Sequence, residues 1–166
     1  CASAVAPSRP GARGGKAQFP YLVDPNTDAE MYESEDIIDY LYATYGPGRP
    51  RIQRMLESPV NLLGGMIASG IRPRGGQARR PRPEQPDQRL VLYNFEASPY
   101  CRKVREALNE LDLDAEVRNV ARRGMRRPEL RARGGKMMVP FLVDPNTEVE
   151  MYESDDIVAY LHATYG

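Results

Sequence analysis

Residues 90–108 read Leu90-Val-Leu-Tyr-Asn-Phe-Glu-Ala-Ser-Pro-Tyr-Cys-Arg-Lys-Val-Arg-Glu-Ala-Leu108, and the hydrophobic period changes partway through them. Leu90 to Tyr93 is a short apolar and aromatic run, the pattern of a buried strand. Beyond it, Val104, Leu108 and Leu111 recur at helical spacing with Arg and Glu between them. At the joint Ser98 is a favoured N-cap, and Pro99 suits the first helical position. Cys101 follows in the first turn. Unpaired backbone N–H groups and the helix dipole favour an anion there, whether a thiolate or a ligand's carboxylate.

Downstream the signals predict a strand over 89–95, a helix over 99–111, a strand over 115–120 and a short helix near 128–133. A hairpin and a last helix complete the order β-α-β-α-β-β-α. The hairpin opens on Val139-Pro140-Phe141-Leu142-Val143, with Pro where a strand tolerates it, at its start. Asp144-Pro145-Asn146-Thr147 has turn chemistry, and Glu150-Met151-Tyr152 returns. Ser154 reads as the cap of the last helix, with Asp155 and Asp156 in its first turn. Ile157, Tyr160, Leu161 and Thr164 read as its buried stripe, and Gly166 ends it.

Laying Arg13–Gly46 on Arg133–Gly166 needs no gap, and about 24 of 34 positions are identical. The earlier copy has Phe19-Pro20, the same turn, Ser34 as cap, the stripe Ile37, Tyr40, Leu41 and Thr44, and Gly46 at the end. Such a long period is not that of a solenoid, so duplication of one domain is the reading. The earlier copy has no counterpart of 89–114 and cannot close a sheet alone. Those residues are expected in the natural protein, since the chain opens on Cys1 without Met or a signal-peptide pattern.

The expected organisation is a partial copy over 1–46, a linker over 47–88 and a complete copy over 89–166. Within the linker, residues 55–67 hold enough apolar side chains for a short helix, interrupted by Pro59 and Gly64-Gly65. Arg72–Gln88, rich in Pro, Gly and Arg, is expected to be disordered. A basic run is a candidate for RNA or a membrane surface. Without interleaved aromatics, a solvated linker is preferred.

Composition narrows the classes. Lys+Arg and Asp+Glu balance at 23 each, so net charge does not call for nucleic acid or a membrane surface. Two Cys and one His exclude a self-contained zinc site and a disulfide framework, so no metal is expected. A reducing compartment fits, cytoplasm or plastid stroma, and no run of 18 apolar residues predicts a membrane span. The 15 Pro and 14 Gly imply irregular stretches beside the core.

The Ser-Pro-Tyr-Cys corner between a strand and a helix is similar to the active-site corner of the thioredoxin superfamily. It most resembles glutaredoxins and the N-terminal domain of glutathione transferases. The resemblance covers the whole order of 89–166 and implies a thioredoxin-like α/β fold with a mixed four-stranded sheet, one complete copy plus a partial one. It also implies glutathione as co-substrate. Glutaredoxins carry Cys-Pro-Tyr-Cys with the first Cys as nucleophile; here Ser98 stands in that place and only Cys101 remains.

In the glutathione-binding branch, the residue before a cis-Pro pairs its backbone with the cysteinyl unit. An acidic-Ser pair at the start of the third helix holds the γ-glutamyl carboxylate. Val139-Pro140 and Glu153-Ser154 match, as do Phe19-Pro20 and Glu33-Ser34 in the partial copy. A helix start is a natural anion site; the structural alternative is that Pro140 only opens a strand and Ser154 only caps. Ser98 reads either as a donor to the glutathione thiolate or as a plain N-cap, and the two are compatible. Its task as donor is to lower a thiol pKa from about 8.5.

Cys101 reads as a redox thiol lacking its partner or, preferably, as a small buried hydrophobe. Lys136, repeated as Lys16, sits where transferases often contact glutathione. Arg102, Lys103 and Arg105 border the corner and suit either the glycyl carboxylate or a solvated face. His162 is Tyr42 in the other copy, a surface position. The Arg-Gly-Gly-Lys segments lack the spacing of a phosphate loop.

Three functions of different class follow. One is a glutathione-dependent transferase or monothiol-type reductase acting through Ser98 or Cys101 on an electrophile or a thiol/disulfide substrate. Because complete transferases add a helical domain that builds the electrophile pocket, conjugation of bulky electrophiles is not expected. The second is a non-catalytic tandem interaction module with a protein partner, or with its repeats packed on each other. The third, a linker-driven RNA binder, is disfavoured.

Overall fold

Two hairpin–helix segments of nearly the same sequence take the same local form in the computed structural model, which describes residues 15–16, 18–48, 78, 82 and 84–166. The helix expected within 55–67 lies outside the described residues. The chain divides into two units, Cys1–Gly65 and Met66–Gly166. In the first, β1 (Tyr21–Asp24) and β2 (Ala29–Tyr32) pair antiparallel and α1 (Ser34–Tyr45) follows.

The second unit runs β3 (Leu90–Asn94), α2 (Pro99–Glu110), β4 (Ala115–Asn119), α3 (Arg126–Gly134), β5 (Phe141–Asp144), β6 (Val149–Tyr152) and α4 (Ser154–Tyr165). Its sheet has the order β4-β3-β5-β6. β3 and β4 are parallel, joined through α2, and the other pairs are antiparallel. This is the mixed four-stranded thioredoxin-like sheet implied by the sequence.

Alternation along the strands divides the core into two layers. Leu90, Leu92 and Leu142 pack with Val104 and Leu108 of α2 and with Ile157 and Leu161 of α4. Tyr93, Phe141 and Val143 pack on the other face with Val120 and with Leu130 of α3. Full burial of each such aliphatic side chain stabilises the fold by roughly 1.5–3 kcal/mol. A polar brace adds to the second layer: the Tyr93 hydroxyl donates to Glu129 at 2.6 Å, and Arg118 Nη1 donates to the same carboxylate at 2.8 Å.

Helix ends follow local chemistry, with exceptions. Ser98 caps α2 and Pro99 opens it. α3 stops at Gly135, whose φ of 73° lets its N–H reach the Arg131 carbonyl at 3.0 Å. Ser154 and Ser34, however, are not N-caps. Glu153 and Glu33 take that position at φ 68° and 67°, without a side-chain cap bond, and each Ser is the first helical residue. The reason is the sharp turn out of the hairpin: Ile157 N already donates to the Glu153 carbonyl at 2.9 Å, which fixes the helix start one residue early.

The stripe of the last helix is also narrower than its period suggests. Ile157 and Leu161 are buried and Tyr160 is half-buried, but Thr164 is exposed, as are Leu41 and Thr44 in α1. The described end of the Arg72–Gln88 stretch lies along the second unit instead of hanging in solvent. Arg82 N donates to Asp112 at 2.9 Å, Asp114 N to the Gln85 amide oxygen at 2.9 Å, and Gln88 N to the Asn146 amide oxygen at 2.9 Å. Among the described residues, no helix is long and apolar enough to cross a membrane.

Candidate functional site

The register of the second sheet gathers three separated segments at one end. Tyr93 near the end of β3 lies opposite Phe141 at the start of β5, which lies opposite Tyr152 at the end of β6. Their rings form a row, with centroids 5.8 Å and 4.4 Å apart. The chain just beyond each residue therefore emerges at the same edge: the corner at 95–98, Val139-Pro140, and Glu153-Ser154.

At the corner, Ser98 N donates to the Phe95 carbonyl at 3.0 Å and sets a tight turn. The Ser98 backbone is extended (φ −84°, ψ 120°), and its Oγ accepts from Cys101 N at 3.4 Å. That bond uses a lone pair and leaves the hydroxyl proton for another acceptor. Ser98 is half-buried, whereas Cys101 is fully buried and its Sγ accepts from Phe95 N at 3.4 Å. The thiol lies beneath the turn, in the packing position.

Val139-Pro140 is a cis peptide, as is Phe19-Pro20. Pro140 is buried and Val139 half-buried. At the head of α4, Glu153 is exposed and Ser154 is 5% exposed. The first N–H groups of α4 have no intrahelical acceptor. A non-glycine residue at positive φ is uncommon, and Glu153 holds such a conformation at the head of this helix.

Charges near the corner are largely paired. Lys103 forms an ion pair with Asp155, and Arg105 clasps Glu96 through Nη1–Oε2 and, at 3.1 Å, Nη2–Oε1. The hydrogen bond from Arg105 holds the Glu96 carboxyl below its usual range, against the opposing effect of burial. Two of the three cations that border the corner thus already have carboxylate partners; Arg102 is exposed. Lys136 is exposed, with Nζ 5.9 Å from the Tyr152 ring centroid, and its carbonyl accepts from the Tyr152 hydroxyl at 3.0 Å.

Sequence reasoning missed a cavity of about 200 Å³ that touches both the corner and Val139. It is lined by Phe95, Val120, Leu130, Met137 and Val139, with Arg122 and Arg127 at its wall. These residues come from four separate segments, so no local signal groups them. Among the described residues, no cluster of His, Cys, Asp and Glu suits a metal ion.

At the far end of β5, Asp144 is fully buried. Its Oδ2 accepts from Tyr160 and Tyr165 at 2.6 and 2.5 Å, and its Oδ1 accepts from the Asn146 N and Nδ2 at 2.9 Å each. Burial pushes its pKa up, but the hydrogen bonds outweigh it and leave the carboxyl below its usual value. This latch fixes α4 on the hairpin and so sets where Glu153 and Ser154 lie. Asp24 is held the same way by Tyr40 and Tyr45 in the first unit.

Among solved structures, the chain is similar to a glutathione transferase from the clam Laternula elliptica (25% identity, TM-score 0.43, 47% of this chain and 36% of that one). A Bombyx mori glutathione transferase shares 27% identity over 50% of this chain and 38% of that one, with a TM-score of 0.45. A transferase homologue from Drosophila mojavensis, solved with bound glutathione, shares 29% identity over 47% and 36%, with a TM-score of 0.43. The chain thus spans between 36% and 38% of the length of these three proteins. A search of curated proteins finds no match. The family model "Glutathione S-transferase, N-terminal domain" matches residues 7–50 and 92–166, well over half of the chain, and the chain therefore belongs to the glutathione S-transferase N-terminal domain family.

Proposed function

We propose that this chain binds glutathione in the groove between the Ser98 corner, Val139-Pro140 and Glu153-Ser154, and uses it in a glutathione-dependent transfer reaction. The observation that carries this reading is the convergence of those three segments at one sheet end, on the row Tyr93, Phe141 and Tyr152. Family membership supports the same ligand.

In this reading the Val139 backbone pairs with the cysteinyl unit. The free N–H groups at the head of α4, with the Ser154 hydroxyl, take the γ-glutamyl carboxylate. Glu153 faces the adjoining ammonium, and Lys136 lies at the margin of the site. The glycyl carboxylate goes to Arg122 and Arg127 at the cavity beside Val139, because Lys103 and Arg105 are engaged elsewhere.

Ser98 is the residue that meets the reacting sulfur. The glutathione thiol gives its proton to solvent, and the Ser98 hydroxyl donates a hydrogen bond to the thiolate. The thiolate then attacks an electrophilic carbon; a carbon–sulfur bond forms and the leaving group departs with its electron pair. Monothiol redox chemistry has less support, because Cys101 Sγ is buried and already engaged by Phe95 N. A reducing compartment, cytoplasm or plastid stroma, suits such chemistry.

An absorbance titration of bound glutathione tests the role of Ser98. The thiolate should form at lower pH than in free glutathione. Ser98→Ala should raise that pKa by about one unit and lower turnover about 10²-fold. Equal pKa values in the wild type and the variant would overturn the assignment.

A further inference from the structure

The cavity beside Val139 is larger than a glycine needs. Its volume is about 200 Å³, and an apolar cavity of roughly 150 Å³ already admits a benzene molecule. Glycine brings a single methylene and no side chain. With the glycyl carboxylate on Arg122 and Arg127, the floor made by Phe95, Val120, Leu130 and Met137 is left without an apolar group to cover it.

The place of the cavity matters as much as its size. In the glutathione reading the Val139 backbone pairs with the cysteinyl unit, so the third residue of the peptide begins there. Val139 also lines the cavity, and a side chain on that third residue has the apolar floor before it and the two arginines at the wall for its carboxylate.

The cavity does not close by a shift of α3, because that helix is braced on the sheet. Glu129, which precedes Leu130 on α3, accepts from Tyr93 at 2.6 Å, from Arg118 at 2.8 Å and from Arg126 at 3.3 Å. Leu130 and Val120 are buried in the layer under it. Met137 is half-buried, and its unbranched, polarizable side chain adapts to what enters.

We propose that the preferred thiol of this site is a γ-glutamylcysteinyl tripeptide whose third residue carries a small branched aliphatic side chain. That side chain fills the cavity, and the terminal carboxylate meets Arg122 and Arg127. The preference rests on the glutathione reading above and narrows it: glutathione binds, but leaves the floor uncovered.

Calorimetric titration of the whole chain with three reduced peptides tests it: glutathione, γ-glutamylcysteinylalanine and γ-glutamylcysteinylvaline. Affinity should rise in that order, by about threefold with alanine and about tenfold or more with valine. The heat-capacity change on binding should be more negative for the valyl peptide than for glutathione, since more apolar surface is buried. Met137→Trp, checked for folding by circular dichroism, fills the cavity and should bring the valyl-to-glycyl affinity ratio close to one. Equal affinities for the glycyl and valyl peptides, a decline along the series, or a valyl preference that survives Met137→Trp would overturn the proposal and leave the glutathione reading standing. If none of the three peptides binds, that reading falls and the preference with it.

Discussion

Lys103 on α2 pairs with Asp155 in the first turn of α4, 52 residues away. The bond ties the helix that begins at the Ser98 corner to the helix that begins at Glu153-Ser154. Both side chains are largely exposed, at 49% and 79%, so the pair contributes at most about 1 kcal/mol to stability. Its larger effect is electrostatic, since it offsets an acid beside a helix start proposed to hold a carboxylate. Lys103→Ala should therefore change the urea midpoint little yet weaken glutathione binding severalfold, more so at low salt. Asp155→Ala should leave binding unchanged or tighter. Equal affinities in the wild type and Lys103→Ala would contradict this role.

Asp144 anchors the second unit through four hydrogen bonds. Tyr165→Phe removes one donor and should cost about 1–2 kcal/mol; Asp144→Ala takes the acceptor from four donor groups on three residues and should cost about 3 kcal/mol or more. The Asp144 pKa is depressed in the folded state. Its contribution is therefore complete above the unfolded carboxylate value of about 3.9, and it is lost as pH falls through the lower folded value. Urea midpoints measured from about pH 5 downward should fall in the wild type and fall less steeply in Asp144→Asn. Parallel slopes would show that the latch does not govern acid stability.

Cys101 should behave as a core residue. In the native chain an alkylating reagent should leave Cys101 unmodified, and modification should follow only on unfolding, as peptide mass mapping would show. Cys101→Ala should cost about 1–2 kcal/mol through lost packing and should leave glutathione affinity within about twofold. Rapid native alkylation at Cys101 would return it to the list of reactive groups.

Much of the second unit was legible from local signals. Ser98, Pro99 and the Val104-Leu108-Leu111 period are contained within a few turns of chain, so they announce the strand, corner and helix without help from elsewhere. The helix start at Glu153 was not legible, because cap statistics favour Ser154 while the hairpin exit forces Glu153 to positive φ. Thr164 obeys the helical period but lies outside the strip that the sheet covers. The Asp144 latch joins residues 16 and 21 positions apart; its turn chemistry was visible, but not the hydroxyls that fill the carboxylate. The Arg122 and Arg127 wall depends on packing among distant segments and left no trace in any motif.

The central claim is a glutathione site at the sheet end shared by Ser98, Val139-Pro140 and Glu153-Ser154. Calorimetric titration of glutathione into the whole chain, beside a Ser154→Ala variant checked for folding by circular dichroism, tests it most directly. The account predicts saturable binding in the micromolar-to-millimolar range (about −8 to −4 kcal/mol), weakened about tenfold or more in the variant. A folded wild-type chain that gives no binding heat at several temperatures, or a folded variant that binds as tightly as the wild type, would contradict it.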